Sequence, residues 1–149
     1  MIDVENLVFD TLYNQLIQQF PDANITAGYD EQNAVFPTVI VRETNNQPYR
    51  NSATEDSSEN HTRITFEIEV VSDKADTARL ECKKILNAVD EIMTSGQYMK
   101  FTRMYKNRPV NVDRTVYRQY ARYEVIVAKP VTFDAGTENE RTVYQMYRR

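Results

Sequence analysis

The chain has 149 residues, the size of one ordinary domain, and only 41% of them are apolar. No apolar run approaches the ~20 residues needed to cross a bilayer, so we expect no membrane partner. A lone cysteine excludes an internal disulfide, a lone histidine argues against a metal site, and three scattered glycines cannot form a phosphate-binding loop. We therefore expect no enzyme and no catalytic, cofactor or metal residues.

Charge is divided along the chain. Residues 1–97 contain 7 Lys/Arg and 17 Asp/Glu, a net charge of −10, whereas residues 98–149 contain 11 and 5, a net charge of +6. Copies of such a chain can bind one another head to tail, or the basic part can meet nucleic acid. The alternative is that both sets of charges only solvate the surface.

The first predicted element is a helix that begins after Asp3, a suitable N-cap residue, and ends before Pro21. Apolar residues recur in it every three or four positions, which predicts a wide buried stripe. The stripe consists of Leu7, Val8, Phe9, Leu12, Tyr13, Leu16, Ile17 and Phe20. A short strand is predicted around Ile25 and Ala27.

Two strands are predicted next, over residues 36–43 and 63–71. In the second, apolar and polar residues alternate strictly, so one face is expected to be buried and the other solvated. Glu67 and Glu69 share the polar face. Two carboxylates at this spacing suit cation binding or acid–base chemistry, but we favour pairing with neighbouring lysines or arginines.

Residues 44–62, between these strands, are polar and contain no aliphatic side chain larger than alanine. They predict a long mobile loop, since they have nothing to bury that would offset the cost of ordering them. Long loops in compact domains are often functional. We therefore assign Glu55, Asp56 and Glu59, near the middle of this loop, to contact with a partner.

A second helix is predicted from Asp73, as its N-cap residue, to Gly96, which suits a left-handed C-terminal cap. Cys82 falls on its apolar stripe and is expected in the core. Strands over residues 98–105 and 115–128 follow, with a turn at 107–109. The order of elements predicts one α+β domain over residues 1–130, with an antiparallel or mixed sheet and two helices on one face. Residues 131–149 are expected to form an arm or a hairpin extension.

The strongest local signal is the basic stretch over residues 100–122, in which aromatic residues alternate with cations. By strand parity, Arg118, Tyr120 and Arg122 share one face. Arginine and tyrosine are enriched in protein interfaces, and basic strands with stacking aromatics also hold single-stranded nucleic acid. Because the whole chain is acidic, we favour a protein interface.

The order of the predicted elements and the pattern of apolar and polar residues over residues 3–130 resemble those of the tail-terminator (tail-completion) proteins of long-tailed bacteriophages. The resemblance lies in an amphipathic helix ending at Phe20-Pro21, an opening strand over residues 35–41, a polar excursion, the strand over residues 64–71, a helix through Ile92, and a closing strand over residues 123–127. It implies a non-enzymatic protein that is assembled in the host cytoplasm and located in the tail or neck of the virion.

Such proteins form a hexameric ring that caps the tail-tube protein and docks to the head connector protein, with at most passing contact with DNA. In this setting Arg118, Tyr120 and Arg122 are expected at the contact between subunits, and Glu55, Asp56 and Glu59 at the lumen or a partner. Two alternatives stay open. One is another small head–tail connector protein, and the other is a single-stranded nucleic-acid-binding module that uses the basic strand over residues 114–128.

Overall fold

The structure is a computed structural model that describes residues 1–28, 32, 34–50, 60–74, 76–107, 116–134 and 140–148. The elements in chain order are α1 (Glu5–Gln19), β1 (Asn24–Thr26), β2 (Thr38–Pro48), β3 (His61–Ser72), α2 (Ala78–Thr94), β4 (Thr102–Asn107), β5 (Tyr117–Ala128), β6 (Val131–Asp134), β7 (Glu140–Val143) and β8 (Met146–Tyr147).

The main sheet has the strand order β1-β2-β3-β5-β4, and β8 also pairs with β5. β1 runs parallel to β2, while all other pairs in this sheet are antiparallel. Both helices pack against the sheet and contribute to one core. The predicted α+β fold, with a mixed sheet and two helices on one face, is therefore confirmed.

The core lies between the helices and one face of β3 and β5. On β3 it takes the alternating apolar side chains predicted from the sequence, which are Ile64, Phe66, Ile68 and Val70. On α1 the buried stripe is narrower than predicted, because only Val8, Leu12 and Leu16 are fully buried. Leu7 and Tyr13 remain exposed on the helix.

The predicted start of the polar loop at residue 44 is wrong, because β2 continues to Pro48. Asn45 and Asn46 pair with Thr65 and Ile64 after a bulge in β2. The Asn46 amide Nδ2 donates to the Ile2 carbonyl at 2.9 Å, and the Thr62 hydroxyl donates to Asn46 Oδ1 at 2.8 Å. These side-chain bonds hold residues of low strand propensity in the sheet.

The second helix begins later than predicted, so Asp73 is not its N-cap. The backbone N–H groups of Thr77 and Ala78 both donate to the Lys74 carbonyl, at 3.0 and 2.6 Å. This turn delays the helix until Ala78. At the other end the prediction is confirmed, since Gly96 follows the C-cap residue with φ +80°.

The strand after α2 also begins later than predicted, at Thr102 rather than at residue 98. Met99 and Phe101 are buried, and the Phe101 N–H donates to the Met93 carbonyl at 2.8 Å. This segment therefore packs back against the end of α2 before the strand begins.

The tail after Pro130 forms an antiparallel hairpin of β6 and β7, which is a sheet of its own. The chain then returns to the main sheet, where β8 pairs with Ile126 and Val127 of β5. Arg148 donates to the carbonyl of Thr94 at the end of α2. The last strand of the predicted arm or hairpin extension thus lies in the main sheet.

Among the described residues, neither helix has the length and apolar character that crossing a bilayer requires.

Candidate functional site

The candidate site is the face of the main sheet turned away from the helices, called the outer face below. The register of β3 and β5 places Arg118 opposite Val71, Tyr120 opposite Glu69 and Arg122 opposite Glu67. The prediction that Arg118, Tyr120 and Arg122 share one face is therefore confirmed.

The arginines of the outer face are held by glutamates on neighbouring strands. Arg122 Nη2 donates to Glu67 Oε2 at 2.7 Å, and Arg42 Nη2 donates to Glu69 Oε2 at 2.8 Å. Arg118 Nη1 lies 3.6 Å from Glu69 Oε1. The hydrogen bond that Arg122 donates to Glu67 raises the pKa of Arg122. The expectation that Glu67 and Glu69 pair with nearby cations is confirmed.

A further ion pair extends this network of arginines and glutamates, called the lattice below, along β3 and β5. Arg63 Nε lies 2.9 Å from Glu124 Oε1, and the Glu124 side chain is only 5% exposed. The lattice thus combines four arginines with three glutamates, so its charges nearly cancel. In the described part of the basic strand, Arg118 and Arg122 therefore do not form a free strip of positive charge.

Tyrosines cover the ends of the lattice. The Arg122 guanidinium lies 5.4 Å from the centre of the Tyr105 ring, and the Arg63 guanidinium lies 5.5 Å from the centre of the Tyr49 ring. Tyr105 meets Tyr120 edge to face, with ring centres 6.2 Å apart. Ring contacts and ion pairs hold these side chains within one subunit, and side chains held in this way lose less entropy on binding than free ones.

Sequence reasoning assigned no contact role to four members of this surface, Arg42, Arg63, Glu124 and Tyr49. For Arg42 and Arg63 the available signal was strand parity, because both alternate with buried aliphatic residues. Tyr49 follows the unpredicted end of β2. The other predicted contact residues, Glu55, Asp56 and Glu59, lie outside the described residues, as do two of the three residues of the turn at 107–109.

Cys82 is fully buried on α2, as predicted from its place in the apolar stripe. Its Sγ lies 3.6 Å from the Val70 carbonyl oxygen and 3.5 Å from that of Tyr117. Burial, with a smaller effect of Glu81, raises the pKa of the thiol to about 12. The side chain therefore stays a neutral thiol at physiological pH and acts as a small core residue.

One buried polar contact ties α2 to the sheet. The Tyr123 hydroxyl donates to Asp90 Oδ1 at 3.0 Å, and Arg103 Nη1 lies 3.2 Å from Asp90 Oδ2. Burial and the charge of Asp90 raise the pKa of the Tyr123 phenol. The phenol therefore stays protonated as a donor, and the contact links one residue each of α2, β4 and β5.

In the described part of the chain, one group of three carboxylates comes close together, formed by Asp3, Glu5 and Glu43. Their oxygens lie within 4.8 Å of one another, a spacing at which a cation can bind. Burial, followed by the charges of Glu5 and Asp3, raises the pKa of Glu43. Exposed carboxylates often meet in this way without a metal ion, and we assign none here.

No family model matches the chain, and no curated protein is detectably similar to it in sequence. Its function is therefore inferred from the outer face and from the order of its elements.

Proposed function

We propose that the protein is a non-enzymatic structural subunit of a bacteriophage tail or neck. It assembles into a ring that ends the tail tube and joins it to the head connector, within virions assembled in the host cytoplasm. The observation that carries this proposal is the outer face, where Arg118, Tyr120 and Arg122 are held in an ordered lattice of arginine, glutamate and tyrosine.

Such a surface suits protein recognition. Arginine and tyrosine are the residues that most often dominate binding free energy at protein interfaces, and rigid side chains lose little entropy there. The lattice carries both signs of charge, so it also discriminates between partners by complementarity. The proposed partners are a tail-tube protein, a head connector protein and further copies of this chain.

The order of elements also supports the proposal. The helix, opening strand, central strand, second helix and closing strand that carry the resemblance to tail-terminator proteins correspond to α1, β2, β3, α2 and β5. A shared order supports an architecture more strongly than it supports a function, so the location in the virion needs its own test.

The test is antibody labelling of purified virions of the phage that encodes the chain, viewed by electron microscopy. The account expects label at the junction of head and tail. Label on the capsid surface or on the distal tail, or no label on virions, would contradict it. An antibody against the major tail-tube protein serves as the control for access to the particle.

Single-stranded nucleic acid is the second candidate partner, because Arg118, Arg122 and two tyrosines in edge-to-face contact lie on one face. The glutamate partners of these arginines argue against it, since they repel phosphate. We expect poor binding of labelled single-stranded DNA at physiological salt. Tight, salt-sensitive binding that Arg118→Ala abolishes would favour this candidate over the structural one.

A further inference from the structure

The end of the outer face near Arg63 differs from the rest of the lattice in its hydrogen bonds. Arg122 and Arg42 each donate from Nη2 to a glutamate, at 2.7 and 2.8 Å. Arg63 Nε lies 2.9 Å from Glu124 Oε1, yet its N–H is not directed at that oxygen, and this buried nitrogen has no hydrogen-bond partner among the described residues. Since buried polar groups are normally satisfied, the Arg63 guanidinium has donors to offer to a ligand.

Arg63 lines a hollow of about 250 Å³ beside the end of β2, together with Gln47, Pro48, Tyr49 and Arg50. Gln47 lies opposite Arg63 in the register of β2 and β3, so the hollow belongs to the outer face. Arg50 is exposed and forms no hydrogen bond, ion pair or ring contact with a described residue. The hollow therefore brings together two guanidinium groups that both have donors to spare.

Contacts with β3 hold the wall of this hollow in place. The Tyr49 N–H donates to the His61 carbonyl at 2.8 Å, and the Thr62 hydroxyl donates to the Gln47 carbonyl at 2.8 Å. The Arg63 guanidinium lies 5.5 Å from the centre of the Tyr49 ring. The backbone from Gln47 to Tyr49 and the Arg63 side chain are thus positioned within one subunit, which reduces the ordering that a ligand has to impose.

The charge of the hollow matches one carboxylate. Arg50 and Arg63 supply two positive charges, and Glu124 beside Arg63 supplies one negative charge, so the net charge is +1. A carboxylate carries one negative charge, whereas a phosphate monoester carries about −1.5 to −2 at pH 7. Guanidinium groups also bind carboxylates in a planar, two-bond geometry. The volume, about 250 Å³, lies below the ~300–1,000 Å³ of small-molecule pockets and suits a single side chain.

We infer that this hollow is a carboxylate-binding site, filled in the assembled protein by an aspartate or glutamate side chain of a neighbouring protein. The identity of that occupant rests on the proposed use of the outer face as an interface, whereas carboxylate binding itself is a property of the single chain. Arg50 and Arg63 donate to the carboxylate oxygens. One acid of the partner is thereby fixed at the end of the lattice, which selects the register of the contact.

The test is an NMR titration of the full chain with two capped amino acids that differ only in charge, acetyl-glutamate amide and acetyl-glutamine amide, at constant ionic strength. The glutamate probe is expected to shift the backbone amide signals of Gln47, Tyr49 and Arg50, and the shifts are expected to saturate. The glutamine probe is expected to leave these signals in place. Inorganic phosphate is expected to bind more weakly than the glutamate probe.

Arg50→Gln removes one guanidinium from an exposed position and is expected to weaken binding of the glutamate probe about fivefold. Lys106→Gln is the matched control, because it removes an exposed cation on β4, outside the hollow, with the same change in net charge. It is expected to bind the probe like the unaltered chain. Arg63 is left unchanged, since its loss would remove an ion pair from Glu124, whose side chain is only 5% exposed.

Equal shifts from the two probes, phosphate binding as tight as that of the glutamate probe, or equal losses in Arg50→Gln and Lys106→Gln would overturn the inference and leave the ring untouched. Binding seen only after Glu55→Gln, Asp56→Asn and Glu59→Gln would also overturn it, because acids of the same chain would then occupy the hollow. If Arg50→Gln does not fold, the two probes on the unaltered chain decide. Probe binding by a chain that stays monomeric would support the site and contradict the ring.

Discussion

Glu67, like Glu69, holds two arginines of the outer-face lattice, which approach it from the strands on either side. Arg122 Nη2 donates to it at 2.7 Å, and Arg42 Nη2 lies 3.9 Å away. Its side chain is 19% exposed, so removing its charge leaves Arg122 partly buried without its ionic partner.

We expect Glu67→Gln to lower the free energy of unfolding by about 1 kcal/mol, measured by urea denaturation. Glu91→Gln is the control, because Glu91 is exposed and forms no ion pair within the described residues, and it is expected to change stability by less than about 0.5 kcal/mol. Equal effects of the two substitutions would show that the lattice adds no stability.

Glu43 has a pKa that burial and two nearby carboxylates raise in the folded state. An acid whose pKa is raised by folding binds protons more readily in the folded state. Its contribution to stability is therefore most favourable below its unfolded pKa of 4.5, and it becomes less favourable as pH rises through its folded pKa. Glu43→Gln is therefore expected to raise the melting temperature at pH 7, with a gain that shrinks toward pH 4.5. A gain that is constant with pH, or a loss at pH 7, would contradict this reading.

At the scale of whole elements, strict alternation made β3 and β5 predictable, and with them the shared face of Arg118, Tyr120 and Arg122. The end of β2 was not predictable, because Asn45 and Asn46 are strand residues only through partners about twenty positions away on β3. The sequence also does not show which charged residues come into contact in the fold. Nothing in the local sequence places Glu43 beside Asp3, or Arg122 beside Glu67.

Gly96 ends α2 in a left-handed conformation, with φ +80°. A Cβ at this position would meet only Arg148 Nη2, at 3.8 Å, so the cost of an alanine there is a backbone cost. We expect Gly96→Ala to lower the free energy of unfolding by roughly 1 kcal/mol, measured by denaturant titration. Gly28→Ala is the control, because a Cβ there meets nothing within 4 Å, and it is expected to be neutral. Equal effects would contradict this account of the cap.

At the scale of the whole molecule, the acidic and basic parts of the sequence are not kept apart, because residues of the two parts pair with each other in the fold. Arg118 and Arg122 from the basic part lie against Glu69 and Glu67 from the acidic part, so much of the division is neutralised within one subunit. Other charged residues stay exposed in the described part of the chain, among them Lys83 and Lys84 on α2, Lys106 on β4 and Lys129 after β5.

The central claim is that the protein works by assembling with copies of itself into a closed ring. Its most direct test is the mass of the unaltered chain, measured by light scattering over rising protein concentration and checked by electron microscopy of the same sample. The account predicts that mass rises to a plateau at one fixed multiple of 17.5 kDa, with ring-shaped particles in the images. A mass that stays at 17.5 kDa at every concentration, or that grows without limit into filaments, would contradict it.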